Sequence, residues 1–336
     1  MHLWKELLKT AIHAPSPHNV QPWRVHLLSD TVADLLIEKR RTLPKEDVTG
    51  SFIILTMGLF IEAIAILAAN HKYKLKYELL QDVSQFTCAA IEQTRTELLP
   101  FASLQLEPDQ NEASRFADDL FLTRRTSRIS LLPKPVPNEA AQALSLLATQ
   151  WNQTYTQITE PATIERILQT NIDAVFEDLN VPDYHDEIVE WFRFTDSSSR
   201  KTRDGLDYRC MNSSRLSFWL VATFPRLLTR AFTRPILKRR YRKQLGRVPT
   251  IGMFAGAFWD PASAFDAGRF LMHAWLEIAK HDLFIHPYGN LVTNQRAAEW
   301  YRNETGIADV WLVFKIGYSE QPPTSYRRSL EEVLVD

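Results

Sequence analysis

The first apolar positions form one helical stripe. Trp4, Leu7, Leu8, Ala11 and Ile12 fall at i, i+3, i+4, i+7 and i+8, and Pro15 and Pro17 end the run. Trp23-Arg24-Val25-His26-Leu27 then alternates apolar and polar as a half-buried strand does, with Leu35-Leu36-Ile37 as its expected neighbour. Phe52 to Ala69 is the longest apolar stretch, broken by Glu62 near its middle. Its length would permit a membrane span, but an unpaired carboxylate at mid-bilayer costs a few kcal/mol, so it reads as a buried core helix. Tyr73 to Leu79 is strand-like, and the polar stretch from Glu107 to Ser114 separates two halves. Beyond it, helices are expected around Phe116 to Leu122 and Glu139 to Leu147. The clearest helix is Asp266 to His281, where Phe270, Leu271, Ala274, Trp275, Ile278 and Ala279 share a face. Val310 to Ile316 is almost wholly apolar, as a central strand would be. Helices and strands mixed in this way predict a layered α/β or α+β fold.

Composition narrows the function classes. With 336 residues the chain has room for two domains, and 45% hydrophobic against 24% charged residues is a globular balance. A net charge of −1 gives no general reason to expect nucleic acid as a partner. Cys88 and Cys210 make neither a disulfide framework nor a zinc site, and suit a reducing compartment. The N-terminal stretch lacks an apolar core and a small-residue cleavage site, so no secretory signal is expected. A soluble, cytoplasmic protein without a membrane partner is the expectation.

Three segments carry candidate chemistry. Ala14-Pro-Ser-Pro-His-Asn-Val-Gln-Pro-Trp23 is a loop pinned by three prolines, expected to expose Ser16, His18, Asn19 and Gln21. Hydroxyl and carboxamide groups on a rigid loop suit the edge of a planar heterocycle; equally, they could satisfy a helix-to-strand connection. Arg124-Arg-Thr-Ser-Arg128 groups guanidinium forks around hydroxyls, as a phosphate site requires, although a short basic cluster is more often solvated surface. Ser325-Tyr-Arg-Arg-Ser329 is a weaker signal unless it converges on the same anion.

Together these segments resemble the nitroreductase superfamily. The loop is similar to its Ala-Pro-Ser-x-x-Asn-x-Gln-Pro-Trp signature. Arg124 to Arg128 resembles its Arg-Arg-(Ser/Thr)-x-Arg phosphate motif, and Arg327-Arg328 its C-terminal phosphate-binding tail. In ordinary members the arginine motif comes first and each FMN lies between two subunits. Here the order is reversed, and Ala148 to Tyr155, where a second loop should stand, matches poorly. The order resembles the fused, Acg-type members. It implies an α+β nitroreductase-like fold of two tandem modules, residues 1–115 and 116–336, forming an intramolecular pseudo-dimer with one surviving FMN position.

The resemblance places Pro15, Ser16, Pro17 and Asn19 against the flavin ring. It places Arg124, Arg125, Thr126 and Arg128 at the phosphate and ribityl end, helped by Arg327 and Arg328. Phe284 to Gly289, with Pro287, lies where members present backbone to the flavin, although Asp282 stands at an expected glycine. The implied activity is hydride transfer from NAD(P)H to flavin and on to an electron-poor acceptor, with no side chain named as catalytic. The alternative is a protein that holds or senses flavin without turnover. A monomer is expected, because the pseudo-dimer already buries the family interface.

Other stretches are less specific. Glu187 to Arg193 with Arg203 to Leu206 resembles the family's substrate-side helix and loop, or is a plain amphipathic helix and turn. Pro225 to Lys243 carries eight Arg or Lys and no acid, beside the apolar run Leu216 to Phe224. A solvated basic face is the simpler account, against a membrane-surface helix or a lid. His185 between Asp183 and Asp186 fits no common metal spacing, so no metal is expected.

Overall fold

The computed structural model describes residues 1–83, 86–225 and 230–335. The first apolar stripe becomes α1 (His2–Ala11), whose Trp4, Leu7, Leu8 and Ala11 are buried. β1 (Trp23–Leu27) and β2 (Val32–Glu38) pair antiparallel, followed by α2 (Ser51–Asn70) and β3 (Tyr73–Leu79). α3 (Cys88–Gln93) leads into β4 (Leu98–Pro108), an eleven-residue strand that the periodicity did not predict. Pro100 interrupts its pattern, and the ladder to β2 slips there: Leu35 faces Ala102 while Leu36 faces Pro100.

The helix expected from Phe116 to Leu122 is only the single turn α4 (Leu120–Thr123). Then come α5 (Asn138–Gln150), β5 (Gln153–Ile158), α6 (Pro161–Asp178) and α7 (Pro182–Glu190). The segment continues through β6 (Phe192–Arg193), α8 (Asp196–Thr202), β7 (Leu206–Asp207), α9 (Arg215–Thr223) and α10 (Thr233–Leu245). β8 (Ile251–Gly256), α11 (Pro261–Lys280), β9 (Phe284–Pro287), α12 (Asn290–Thr293), α13 (Gln295–Thr305) and β10 (Val310–Gly317) follow. The chain ends with α14 (Leu330–Val333) and β11 (Leu334–Val335).

These elements make an α+β fold around two main sheets that repeat one topology. One sheet has the order β11-β1-β2-β4-β3, the other β5-β8-β10-β9. Leaving β11 aside, each sheet sets its first, second, fourth and third strands side by side, all antiparallel, with a long helix between the second and third. β11 crosses from the end of the chain to pair in parallel with β1.

The two long helices, α2 and α11, pack on each other with the same symmetry. Gly58 stands seven residues after Ser51, and Gly268 seven after Pro261. A Cβ on Gly58 would lie 2.2 Å from the Phe265 carbonyl oxygen, and one on Gly268 2.1 Å from that of Leu55. Phe265 and Leu55 are likewise each four residues into their helices. Glycine is therefore required at both points of this crossing. Glu62, the carboxylate inside the apolar run, receives Arg269 Nε at 2.8 Å and lies 2.8 Å from His273 Nε2. α2 is long and apolar enough to cross a membrane, yet it is buried inside the protein with its one charge paired.

Residues 179–225 and 230–250, between α6 and β8, leave both sheets and form a cap. It has its own two-stranded parallel ladder and a small core in which Phe192 and Phe218 stack at 4.2 Å.

Candidate functional site

The connection between α1 and β1 runs from residue 12 to 22, whereas that between α5 and β5 is only residues 151–152. Only the first unit therefore has the length for a projecting loop. In that loop His18, Asn19 and Gln21 adopt left-handed φ values of 47°, 56° and 51°. Such backbone costs energy in non-glycine residues and persists only where its surroundings hold it.

The hold is visible. Ser16 Oγ accepts the Gln21 N–H at 3.0 Å, and Asn19 Nδ2 donates to the Tyr326 carbonyl at 3.1 Å. Gln21 Nε2 donates to the Asn19 carbonyl at 3.2 Å and the Arg203 carbonyl at 3.0 Å. Gln21 is completely buried, and the Ser16 hydroxyl serves the loop itself, so the expectation that the loop exposes all four polar groups is corrected. Pro15, Ser16, Pro17 and Asn19 do line a cavity of about 520 Å³, and Asn19 Oδ1 is buried there without a partner. That volume lies within the roughly 300–1,000 Å³ of small-molecule sites.

The arginine motif reaches the same cavity by docking beside β9. Thr126 bridges in parallel to Ile285, and the Ser127 N–H donates to the Ile285 carbonyl at 2.9 Å. This brings Arg124, Arg125, Thr126, Arg128 and Pro287 together on the wall, joined by Arg327 from the tail. Asp282, just before β9, has φ 58°, so the aspartate occupies the left-handed turn where the resemblance expects glycine.

The three motif arginines and Arg327 are held by neutral groups. Arg124 donates to the His13 carbonyl at 3.0 Å and lies 4.6 Å from the Trp275 ring centre. Arg125 donates to the Pro322 carbonyl at 3.0 Å, Arg128 to that of Cys210 at 3.2 Å, and Arg327 to Ser325 Oγ at 2.9 Å. Their four Nε atoms are buried without a partner, and none of the four forms an ion pair with a carboxylate among the described residues. Burial, with Arg327 beside it, pushes Arg124 down to about 9, and burial takes Arg327 down to about 10. His13 is lowered to about 4 by burial, then by Arg327 and Arg124. Uncompensated positive charge inside a protein calls for an anion.

Arg328 is separate from this group. It lines no part of the cavity and is spent on structure: its guanidinium lies 3.0 Å from Glu38 and donates to the Gln21 and Glu332 carbonyls at 3.2 and 2.7 Å.

The cavity wall also carries groups that the motifs did not reveal. His18 Nε2 lies 2.5 Å from Glu46; burial alone would lower the imidazole, but the pairing outweighs it and raises it. Asp47 accepts the Phe52 and Ile53 N–H groups at the start of α2, and burial pushes it up to about 7. Glu187 of α7 takes the Lys45 and Glu46 N–H groups at 2.9 Å each, latching the cap onto this wall. His18 was visible in the loop, but nothing local in sequence marks Glu46 as its partner.

The cap supplies the remaining wall. Ile188, Phe192 and Leu206 line the cavity, so the segments resembling a substrate-side helix and loop do reach it. From the basic stretch, Leu237, Arg240 and Tyr241 line it too, while residues 226–229 of that stretch lie outside the described residues. His185 is buried beside Asp186, and among the described residues no cluster suits a metal ion.

No family model and no curated protein matches this chain. Solved structures do. The FMN-dependent nitroreductase NfnB of Mycobacterium smegmatis, in complex with NADPH, is 17% identical, covers 64% of this chain and 95% of its own, and superposes with a TM-score of 0.37. The FMN- and NADPH-dependent NfnB of a sphigopyxis strain, HMH, is 15% identical over 65% of this chain and 96% of its own, at 0.39. A nitroreductase with bound FMN from Desulfitobacterium hafniense is 9% identical over 64% and 95%, at 0.37. At such scores the functional reading rests on the cavity's own residues.

Proposed function

We propose that the cavity holds one FMN and that the protein is a nitroreductase-type oxidoreductase. The observation that carries this reading is the convergence of four carboxylate-free arginines, each with a buried and unpartnered Nε, with the Pro15–Asn19 loop on one cavity. The donor set fits the cofactor. Arg124, Arg125, Arg128, Arg327 and the Thr126 hydroxyl would take its phosphate and ribityl chain, since guanidinium forks match phosphate oxygens. Pro15, Pro17 and Pro287 would flank the ring, and Asn19 Oδ1 would accept a hydrogen bond from its edge.

When bound, FMN supplies the redox chemistry, receiving hydride from a reduced nicotinamide and delivering it to an electron-poor acceptor. The chain's own residues bind, orient and shield it: the buried guanidiniums favour a negatively charged occupant, and the cap limits water.

The repeated strand order and the Gly58–Gly268 crossing support two fused modules paired as an internal pseudo-dimer, with residues 1–115 giving the loop and 116–336 the phosphate site. The two-residue α5–β5 connection supports a single site, and the internal pairing supports a monomer. The cap latched by Glu187 supports a second reading, in which the flavin is sequestered rather than turned over.

The visible spectrum of the purified protein, with the chromophore identified and counted, is the test. About one FMN per chain, lost in Arg124→Ala/Arg327→Ala, is expected; a colourless protein that takes up no added FMN would sink the reading. Fast bleaching by NADPH with reoxidation by a nitroaromatic or quinone would separate turnover from sequestration.

A further inference from the structure

The cap's outer surface is unlike the rest of the chain. Between Asp207 and Asp260 there is no Asp or Glu, while Arg209 to Arg247 contains eleven Arg or Lys, in a protein with 39 Lys and Arg against 40 Asp and Glu. Four of these cations pair with carboxylates of neighbouring elements: Arg209 with Asp207, Arg215 with Asp196, Lys238 with Asp173 and Arg242 with Glu165. Arg230, Arg234, Arg239, Arg240, Lys243 and Arg247 have no carboxylate partner among the described residues.

Apolar side chains stand among them in water. Phe232 is 88% exposed, Ile236 67% and Leu216 64%, with Trp219 and Phe224 also exposed and in edge contact at 5.6 Å. Phe232, Ile236, Arg239 and Lys243 recur at i, i+4, i+7 and i+11, so one face of α10 runs from apolar to basic. The opposite face, Leu237, Tyr241 and Leu245, packs inward. A solvated basic face explains the cations, but it gives no reason for an almost fully exposed phenylalanine beside an exposed isoleucine.

We propose that α9 and α10 form a docking surface for an anionic lipid bilayer. Unpaired cations would meet the headgroup charge while Leu216, Trp219, Phe232 and Ile236 enter the boundary with the acyl chains, the two contributions that hold an interfacial helix. Nucleic acid would satisfy the cations but leave the aliphatic side chains in water. Because the same helices line the cavity with Phe218, Leu237 and Tyr241, docking sets the cavity wall against the membrane. The surface stands independently of what the cavity holds.

The test is sedimentation of the full chain with phosphatidylcholine vesicles containing about one-third phosphatidylglycerol, against pure phosphatidylcholine. Binding only to the anionic vesicles is expected. Arg239→Gln/Lys243→Gln should weaken it about thirty-fold, from the loss of two surface cations. Phe232→Ser/Ile236→Ser should make binding far more sensitive to salt, with circular dichroism unchanged in both variants. Equal sedimentation with both vesicle types, or with neither, overturns the proposal. So would duplex DNA that binds as tightly as the anionic vesicles and is indifferent to Phe232→Ser/Ile236→Ser, which would give the surface to nucleic acid.

Discussion

Gln21 and Arg328, 307 positions apart, bond to each other twice: the Arg328 N–H donates to Gln21 Oε1 at 2.8 Å, and its guanidinium donates to the Gln21 carbonyl at 3.2 Å. The tail thus clamps the strained loop from behind, and Arg328 acts through that clamp rather than on the cavity. Arg328→Met is expected to cost about 3 kcal/mol, because it breaks a buried ion pair, although Arg24 and Arg41 still face Glu38. Denaturant unfolding should show that loss, and FMN affinity measured on the folded fraction should fall much less than in Arg124→Ala. Equal losses of affinity would put Arg328 in the site.

Arg124 and Arg327, both pushed down by burial, work against the empty fold and would favour a bound anion. Arg124→Met or Arg327→Met is therefore expected to weaken FMN binding about a hundred-fold, the scale of one or two charge-assisted hydrogen bonds. The same variants should raise the melting temperature of the flavin-free protein. Calorimetry and flavin titration on one preparation would check both; a flavin-free variant that melts lower would contradict the account.

His13 supplies a pH test of the same charge. Its folded value of about 4 lies below the 6.5 of an unfolded histidine, so the unfolded chain holds more protons between those values. Its contribution therefore makes stability fall as pH drops from about 6.5 to about 4. Inorganic phosphate in the cavity should offset Arg124 and Arg327 and raise the His13 value, which an NMR titration would follow. No movement with phosphate would separate His13 from the anion site.

The α2–α11 crossing leaves no room for a methyl group. Gly58→Ala and Gly268→Ala would each set a Cβ near 2 Å from a backbone carbonyl, which neither helix can relieve without shifting. Each is expected to cost about 3 kcal/mol or more, the upper range for overpacking. The symmetry of the crossing implies similar costs at the two sites. Unfolding free energies within about 1 kcal/mol of wild type would show that the helices can slide apart.

Much of this architecture was legible in one dimension because its cause is local. The stripe in α1, the alternation in β1 and the apolar run of α2 each report how an element meets the core. The Pro15–Asn19 and Arg124–Arg128 motifs were legible only through their resemblance to a family pattern, because on residue type alone the loop could equally serve a helix-to-strand connection and the arginines a solvated surface. β4 was hidden because Pro100 sits in a bulge that only the partner strand makes sense of. The turn at α4 was overread as a longer helix from its apolar spacing.

The sequence by itself determined the strongly periodic elements α1, β1, α2 and α11, the residue patterns of the two motifs and the cationic bias of residues 209–247. Only the tertiary structure decided that Arg328 braces Gln21 and Glu38 while Arg327 faces the cavity, although the two are adjacent in the chain. It also decided that His18 meets Glu46, that Glu62 finds Arg269 and His273, and that Phe232 stays in water. The physical reason is the same each time. A charged or aromatic side chain takes its role from what lies within a few ångströms, and those neighbours come from segments that only folding brings together.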